Sequence, residues 1–289
     1  MAVFKRKVYV EVSETGLTFL FPPKKENDPW GARFVALPAG DFDEAEIATL
    51  LAGEAKVRTI WPISDVFIFA NTRKSVIRIA RITPTDVQPG ETELWALIKP
   101  CFPVGHKMDE TTHLFSGAIF NNPDSIPEEK VDTTTTYFEK YQENDTCIIA
   151  AALPAYVANW ITRSVLHLTG SALSLRRLDV VENLIFQYYA LKTLEPFWVA
   201  LPQNVGLRIL HIANGKPVGV EMLGHKPGLR EEHVLRILGS FKENIFPVRL
   251  VFLNVDEDIA DWGWLVELLE DRGVATEIED YHFLRYLSD

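Results

Sequence analysis

The chain has 289 residues, 47% of them hydrophobic, and a formal net charge of −11. That apolar content suffices for one large domain or two modest ones, and the negative balance, with no block of Lys or Arg, argues against nucleic acid as a partner. Two cysteines, Cys101 and Cys147, lie far apart without CxxC spacing, which argues against a disulfide framework and a zinc knuckle. The start, Met-Ala-Val-Phe-Lys-Arg-Lys, lacks the apolar core of a signal peptide, and no run reaches the roughly 18 apolar residues of a membrane span, so a folded cytoplasmic chain is expected.

Lys7 to Val12 reads as a strand that turns at Ser13-Glu14-Thr15-Gly16 and returns through Leu17 to Phe21. A polar loop, Pro22 to Pro29, leads to a third strand at Ala32 to Leu37. Asp41 or Asp43 can cap a short helix with Ile47, Leu50 and Leu51 on one face, ended near Gly53. Strands are expected again at Lys56 to Trp61 and Ser75 to Ile82, with Pro62-Ile63-Ser64-Asp65 as an interruption. Glu91 to Lys99 suits a helix that stops before Pro100. From about residue 103 to 145 the chain is polar and irregular, apart from Leu114-Phe115 and Ala118-Ile119-Phe120, and Thr133 to Thr136 reads as a strand edge.

Cys147 to Leu153 is a buried-strand run, and Pro154 opens a helix whose Tyr156, Val157, Trp160, Ile161, Val165 and Leu168 form one face, with Gly170 at the C-terminal cap. Leu173 to Leu178 is a strand. Asp179 and Glu182 have the spacing of a capping-box variant before a stripe of Val181, Leu184, Ile185, Tyr188 and Leu191. Pro196 to Leu223 then gives three short strands. The looser first turn is Gln203-Asn204-Val205-Gly206, and the second is Asn214-Gly215, the pair suited to the positive-φ positions of a two-residue hairpin. A helix at about 229 to 241, a strand at Val248 to Leu253, a helix carrying Trp262, Leu265, Val266 and Leu269, and a strand at Ala275 to Ile278 complete the order.

Two meanders, each followed by alternating helices and strands, indicate an α/β fold of two lobes: residues 1 to 179, carrying the irregular insertion at about 103 to 145, and 180 to 289. Five segments carry a family resemblance: Val8 to Ser13, Ile60 to Val66, Cys147 to Ala158, Leu175 to Glu182, and Trp198 to Pro217 along its whole length. On these the chain resembles the actin-like superfamily, whose lobes share a duplicated RNase-H-like topology and each open with a three-stranded antiparallel meander. Within it the chain is similar to PilM-like proteins of type IV pilus assembly and to the cytoplasmic part of GspL proteins of type II secretion.

The resemblance implies that the first turn of each meander faces nucleotide phosphates. It places the vestiges of that site at Glu11, Ser13, Glu14 and Thr15 in the first turn and at Gln203, Asn204 and Gly206 in the second. Phosphate turns need outward N–H donors, small residues and a carboxylate to hold Mg²⁺ through water. Here Glu14 opposes a phosphate, Pro202 removes a donor, and the second turn has no carboxylate. Where the family places glycines under adenosine, Asn254-Val255-Asp256-Glu257 stands. The expectation is therefore no ATP or Mg²⁺ cofactor, no metal and no catalytic residue.

Other chemistries find little support. GxGxxG, GxxxxGK[ST], HExxH and G-x-S-x-G are all absent; His106 and His113 read as solvated loop residues, and an RNase-H-like nuclease would have only Glu11 as a strand-borne carboxylate. What the resemblance implies is a non-catalytic cytoplasmic adaptor, recruited to the inner membrane by docking the cytoplasmic tail of an inner-membrane assembly protein. The alternative is an active ATPase or small-molecule kinase of the same superfamily.

Overall fold

The computed structural model describes residues 6–23, 25, 28–37, 63–72, 75–82, 96, 112–120, 146–169, 175–190, 192–203, 206–224, 230–240, 246–254 and 262–287. The expected helix near Asp41, the strand at Lys56, the strand edge at Thr133 and all but Ala96 of the helix at Glu91 lie outside them.

The first sheet contains β1 (Arg6–Ser13), β2 (Gly16–Phe21), β3 (Gly31–Ala36), β4 (Ile63–Asn71) and β8 (Leu175–Val180) in the order β3-β2-β1-β4-β8. β1, β2 and β3 form an antiparallel meander, while β4 runs parallel to β1 and β8 parallel to β4. Alternation decides which residues of β1 go inward. Val8, Val10 and Val12 are fully buried in one cluster with Leu17, Phe19, Val66, Ile68 and Ala70, and Val157, Trp160, Ile161, Val165 and Leu168 of α1 (Ala155–Thr169) close it. Burying such side chains contributes about 1.5–3 kcal/mol each, so the stripe read from α1 accounts for why that helix docks there.

The second five-stranded sheet repeats the plan. β9 (Phe197–Gln203), β10 (Gly206–Ala213), β11 (Lys216–Gly224), β12 (Arg249–Asn254) and β13 (Ala275–Asp280) stand in the order β11-β10-β9-β12-β13. Again the first three are an antiparallel meander, and the last two run parallel to its first strand. Every residue of β9 and β10 described in the sheet is buried, which is why these strands read as near-continuous apolar runs. Asn214 at φ 52° and Gly215 at φ 68° close the β10–β11 hairpin as Asn-Gly predicts. Among the described residues, helices follow at α2 (Val181–Ala190), α3 (Arg230–Ser240) and α4 (Gly263–Glu270), and a 3₁₀ turn, Phe283–Leu287, follows β13. α2 is buried without interruption from Val181 to Phe186, a run that includes the polar Glu182 and Asn183.

A third sheet has the order β5-β7-β6, from β5 (Val76–Ile82), β6 (Thr112–Phe120) and β7 (Thr146–Pro154). By its contacts the chain divides into Met1–Val76, Lys107–Phe115 and Ala151–Val181 as one unit, and Ile77–His106, Ser116–Ala150 and Glu182–Asp289 as the other.

Two expectations need correcting. Ile63 to Asp65 does not interrupt: Ile63 begins β4, the strand beside β1, and Val66, Ile68 and Ala70 supply its core face. Within the stretch read as irregular, Thr112–Phe120 is one nine-residue strand, because strand pairing with β7 outweighs its polar letters.

Candidate functional site: the first turns of the two meanders

The first turn is built by the residues of β1 that alternation sends away from α1. Tyr9, Glu11 and Ser13 pair in register with Phe67, Phe69 and Asn71 of β4, so these residues share the other face of the sheet. Glu11 is 8% exposed, and Asn71 Nδ2 donates to its Oε1 at 3.0 Å. At the end of β4, Thr72 Oγ1 donates to Glu14 Oε1 at 2.9 Å, which holds a carboxylate at the turn.

Ser13 spends the turn's own donors. Its hydroxyl oxygen accepts from the backbone N–H groups of Thr15 at 3.3 Å and Gly16 at 3.2 Å, and it lies 2.9 Å from Thr15 Oγ1. The Thr15 carbonyl accepts from Leu37 N at 2.9 Å, which ties the turn to the end of β3. A phosphate-binding turn aims such N–H groups at the ligand; here two of them are directed into the turn and a carboxylate is fixed beside it.

The second turn occupies the same place in its own meander. Val12 pairs with Leu17 in the first hairpin and Pro202 with Leu207 in the second, so Glu11 corresponds to Leu201 and Thr18 to Arg208. Pro202 is tolerated because β12 pairs with β9 only as far as Ala200, leaving the proline beyond that ladder. Gln203 and Gly206 stand at the two ends of the turn, and Asn204 lies outside the described residues.

Arg208 brings a guanidinium near this turn, and it is neutralised from within the same unit. Its Nη1 donates to Glu182 Oε1, which also accepts from Gln203 Nε2 at 3.5 Å. Glu182 is fully buried, Arg208 is 4% exposed and Gln203 9%. The capping-box assignment is revised accordingly. Val180, not Asp179, stands immediately before α2; the Asp179 carboxylate accepts from Val180 N at 2.8 Å, and the Glu182 carboxylate runs to Arg208 and Gln203.

Asn71, Thr72, Glu182 and Arg208 are the participants that sequence reasoning missed. The last two carried a signal: one carboxylate in Val-Val-Glu-Asn-Leu-Ile-Phe and one guanidinium in Gly-Leu-Arg-Ile-Leu-His-Ile each sit in an apolar run, where a buried charge requires a partner. Asp179 joins Glu11 on one face, in register through Phe69. The intervening strand sets their two backbones about 10 Å apart. Among the described residues, no group of three His, Cys, Asp or Glu could hold a metal ion.

Two parallel strands added to one side of an antiparallel meander, in two sheets of identical order, define an actin-like fold. No protein-family model matches the chain, and no curated protein matches it by sequence. Solved structures do. A Bacteroides thetaiotaomicron protein with an actin-like ATPase fold and unknown function superposes with a TM-score of 0.61 at 10% identity, over 99% of this chain and 96% of that one. A chain of the PilM–PilN type IV pilus biogenesis complex matches with a TM-score of 0.60 at 13% identity, over 94% of this chain and 88% of that one. The cytoplasmic domain of EpsL, an inner membrane component of the type II secretion system of Vibrio cholerae, matches with a TM-score of 0.48 at 10% identity, over 98% of this chain and 93% of that one. The chain thus has the two-lobed α/β architecture of the actin-like ATPases. No helix among the described residues is long and apolar enough to cross a membrane.

Proposed function

We propose that this chain is a non-catalytic adaptor of a type IV pilus or type II secretion machine, held at the cytoplasmic face of the inner membrane by the cytoplasmic tail of a membrane partner. The observation that carries the reading is the first turn. Its Thr15 and Gly16 N–H groups are directed to Ser13 Oγ, and Glu14 is anchored beside them by Thr72. In the second turn a leucine replaces the carboxylate position, and Arg208 is bound to Glu182. An actin-like fold that has given up phosphate chemistry at both turns is suited to binding a peptide rather than turning over ATP. The net charge of −11 favours a tail with a basic residue among apolar ones, and the family resemblance puts the receiving groove in the first lobe.

The test is a pair of titrations on the full chain. Calorimetry with Mg²⁺ and ATP is expected to show no micromolar binding, and cytoplasmic-tail peptides of membrane proteins encoded beside the gene are expected to bind with an affinity that falls as salt rises. Micromolar ATP binding with turnover, and no tail peptide bound, would replace the adaptor reading with the kinase or ATPase alternative.

A further inference from the structure

The two edges of the second sheet are treated differently. β11, at one end, is defended: it carries Pro217, its register with β10 slips between His211 and Ile212, and Pro217, Val218, Gly219 and Leu223 are buried. β13, at the other end, pairs with β12 in an unbroken six-residue register, contains no proline, and has no described strand on its outer side. Ile278, at its centre, is 58% exposed.

Natural edge strands avoid unwanted pairing through proline, bulges and charge. β13 has only the charge. Its sequence Ala-Thr-Glu-Ile-Glu-Asp sets Glu277, Glu279 and Asp280 around Ile278, and α4, which packs on β13, adds exposed Glu267 and Glu270. Arg249 and Arg285 pair with Glu277 and Glu279, which leaves the surface acidic overall. Carboxylates placed opposite like carboxylates disfavour a second copy of the same strand. Protection alone does not call for an exposed β-branched residue among them.

We infer that β13 is a docking edge, which takes up an extended segment of a partner protein with alternating basic and β-branched residues as a sixth strand. Backbone groups on the edge that no described strand pairs with supply the ladder, the carboxylates select basic side chains, and Ile278 provides the apolar contact. This surface lies in the second sheet and stands whether or not the adaptor reading holds.

The test uses the full chain and a labelled hexapeptide, Lys-Val-Lys-Val-Lys-Val, followed by fluorescence anisotropy at low salt. A peptide with proline at each valine keeps the charge but loses the N–H donors and the β-branched side chains of those three positions. The expected result is binding of the valine peptide alone, with amide-exchange protection gained at 275–280. Ile278→Lys is expected to lower affinity at least tenfold, and Glu195→Lys, a larger change of charge at an exposed site outside β13, to lower it less than twofold. Equal binding of the proline peptide, equal losses in the two variants, no binding, or a dimer of the free chain that Ile278→Lys dissociates would each overturn the inference.

Discussion

The ring of Phe34 occupies the place where a side chain on Gly16 would begin: a Cβ there would stand 2.3 Å from two ring atoms of Phe34 and 2.6 Å from the Val35 carbonyl oxygen. Gly16 is thus required by β3, the strand next to it. Gly16→Ala is expected to cost about 1–3 kcal/mol of stability in urea unfolding, as overpacking does. Adding Phe34→Ala should recover only part of that loss, because the Val35 carbonyl belongs to backbone and cannot move aside. Full recovery in the double variant would show that the ring alone makes the constraint.

Glu182 and Arg208 form a buried pair, with side chains 0% and 5% exposed. Removing one partner leaves an uncompensated charge in the core of the second sheet, so Glu182→Gln or Arg208→Met is expected to cost about 3–5 kcal/mol. The double variant Glu182→Met with Arg208→Met should lie closer to the natural chain than either single variant does. A double-mutant cycle by urea unfolding checks this, and additive losses would contradict it.

Ser13→Ala removes the acceptor of the Thr15 and Gly16 N–H groups and should cost about 1 kcal/mol, the net worth of such bonds. It should not create ATP binding, because Glu14 remains beside the turn. Calorimetry on Ser13→Ala and on Ser13→Ala with Glu14→Ala separates the two obstacles. Binding restored by the first substitution alone would assign the block to the serine.

Tyr189 and Tyr286 give the protein an alkaline limit. Burial is the largest cause raising each phenol above its ordinary value of 10.0, and Glu279, which accepts from Tyr189 Oη at 3.0 Å, raises Tyr189 further. A folded-state pKa above the unfolded one means that the native state keeps protons the unfolded chain releases. Their contribution is therefore complete below pH 10 and is lost as pH rises from there towards the folded values. Thermal unfolding across pH 8 to 12 should show melting temperature falling above about pH 10, and Tyr189→Phe should flatten that fall. An unchanged slope in the variant would exclude Tyr189 as its source.

Much of the fold was legible because its signals are local. Asn214-Gly215 dictated a hairpin, the three- and four-residue spacing of Val157, Trp160, Ile161, Val165 and Leu168 dictated the buried face of α1, and both meanders were visible as repeated strand-turn-strand patterns. β4 was hidden by the letters Pro62-Ile63-Ser64-Asp65, which read as a break although Ile63 begins the strand, and β6 by Ser116-Gly117, which split its two apolar pieces.

The sequence by itself determined the α/β class and the duplicated meanders, since these depend on turn chemistry and on spacing along the chain. Only the tertiary structure decided what the turn residues do. Asn71 meets Glu11 from 60 positions away, Thr72 meets Glu14 from 58, and Glu182 meets Arg208 from 26. Such pairings are set by the register of parallel strands and the docking of a helix on a sheet, and no periodicity in the chain encodes which carboxylate will face which donor.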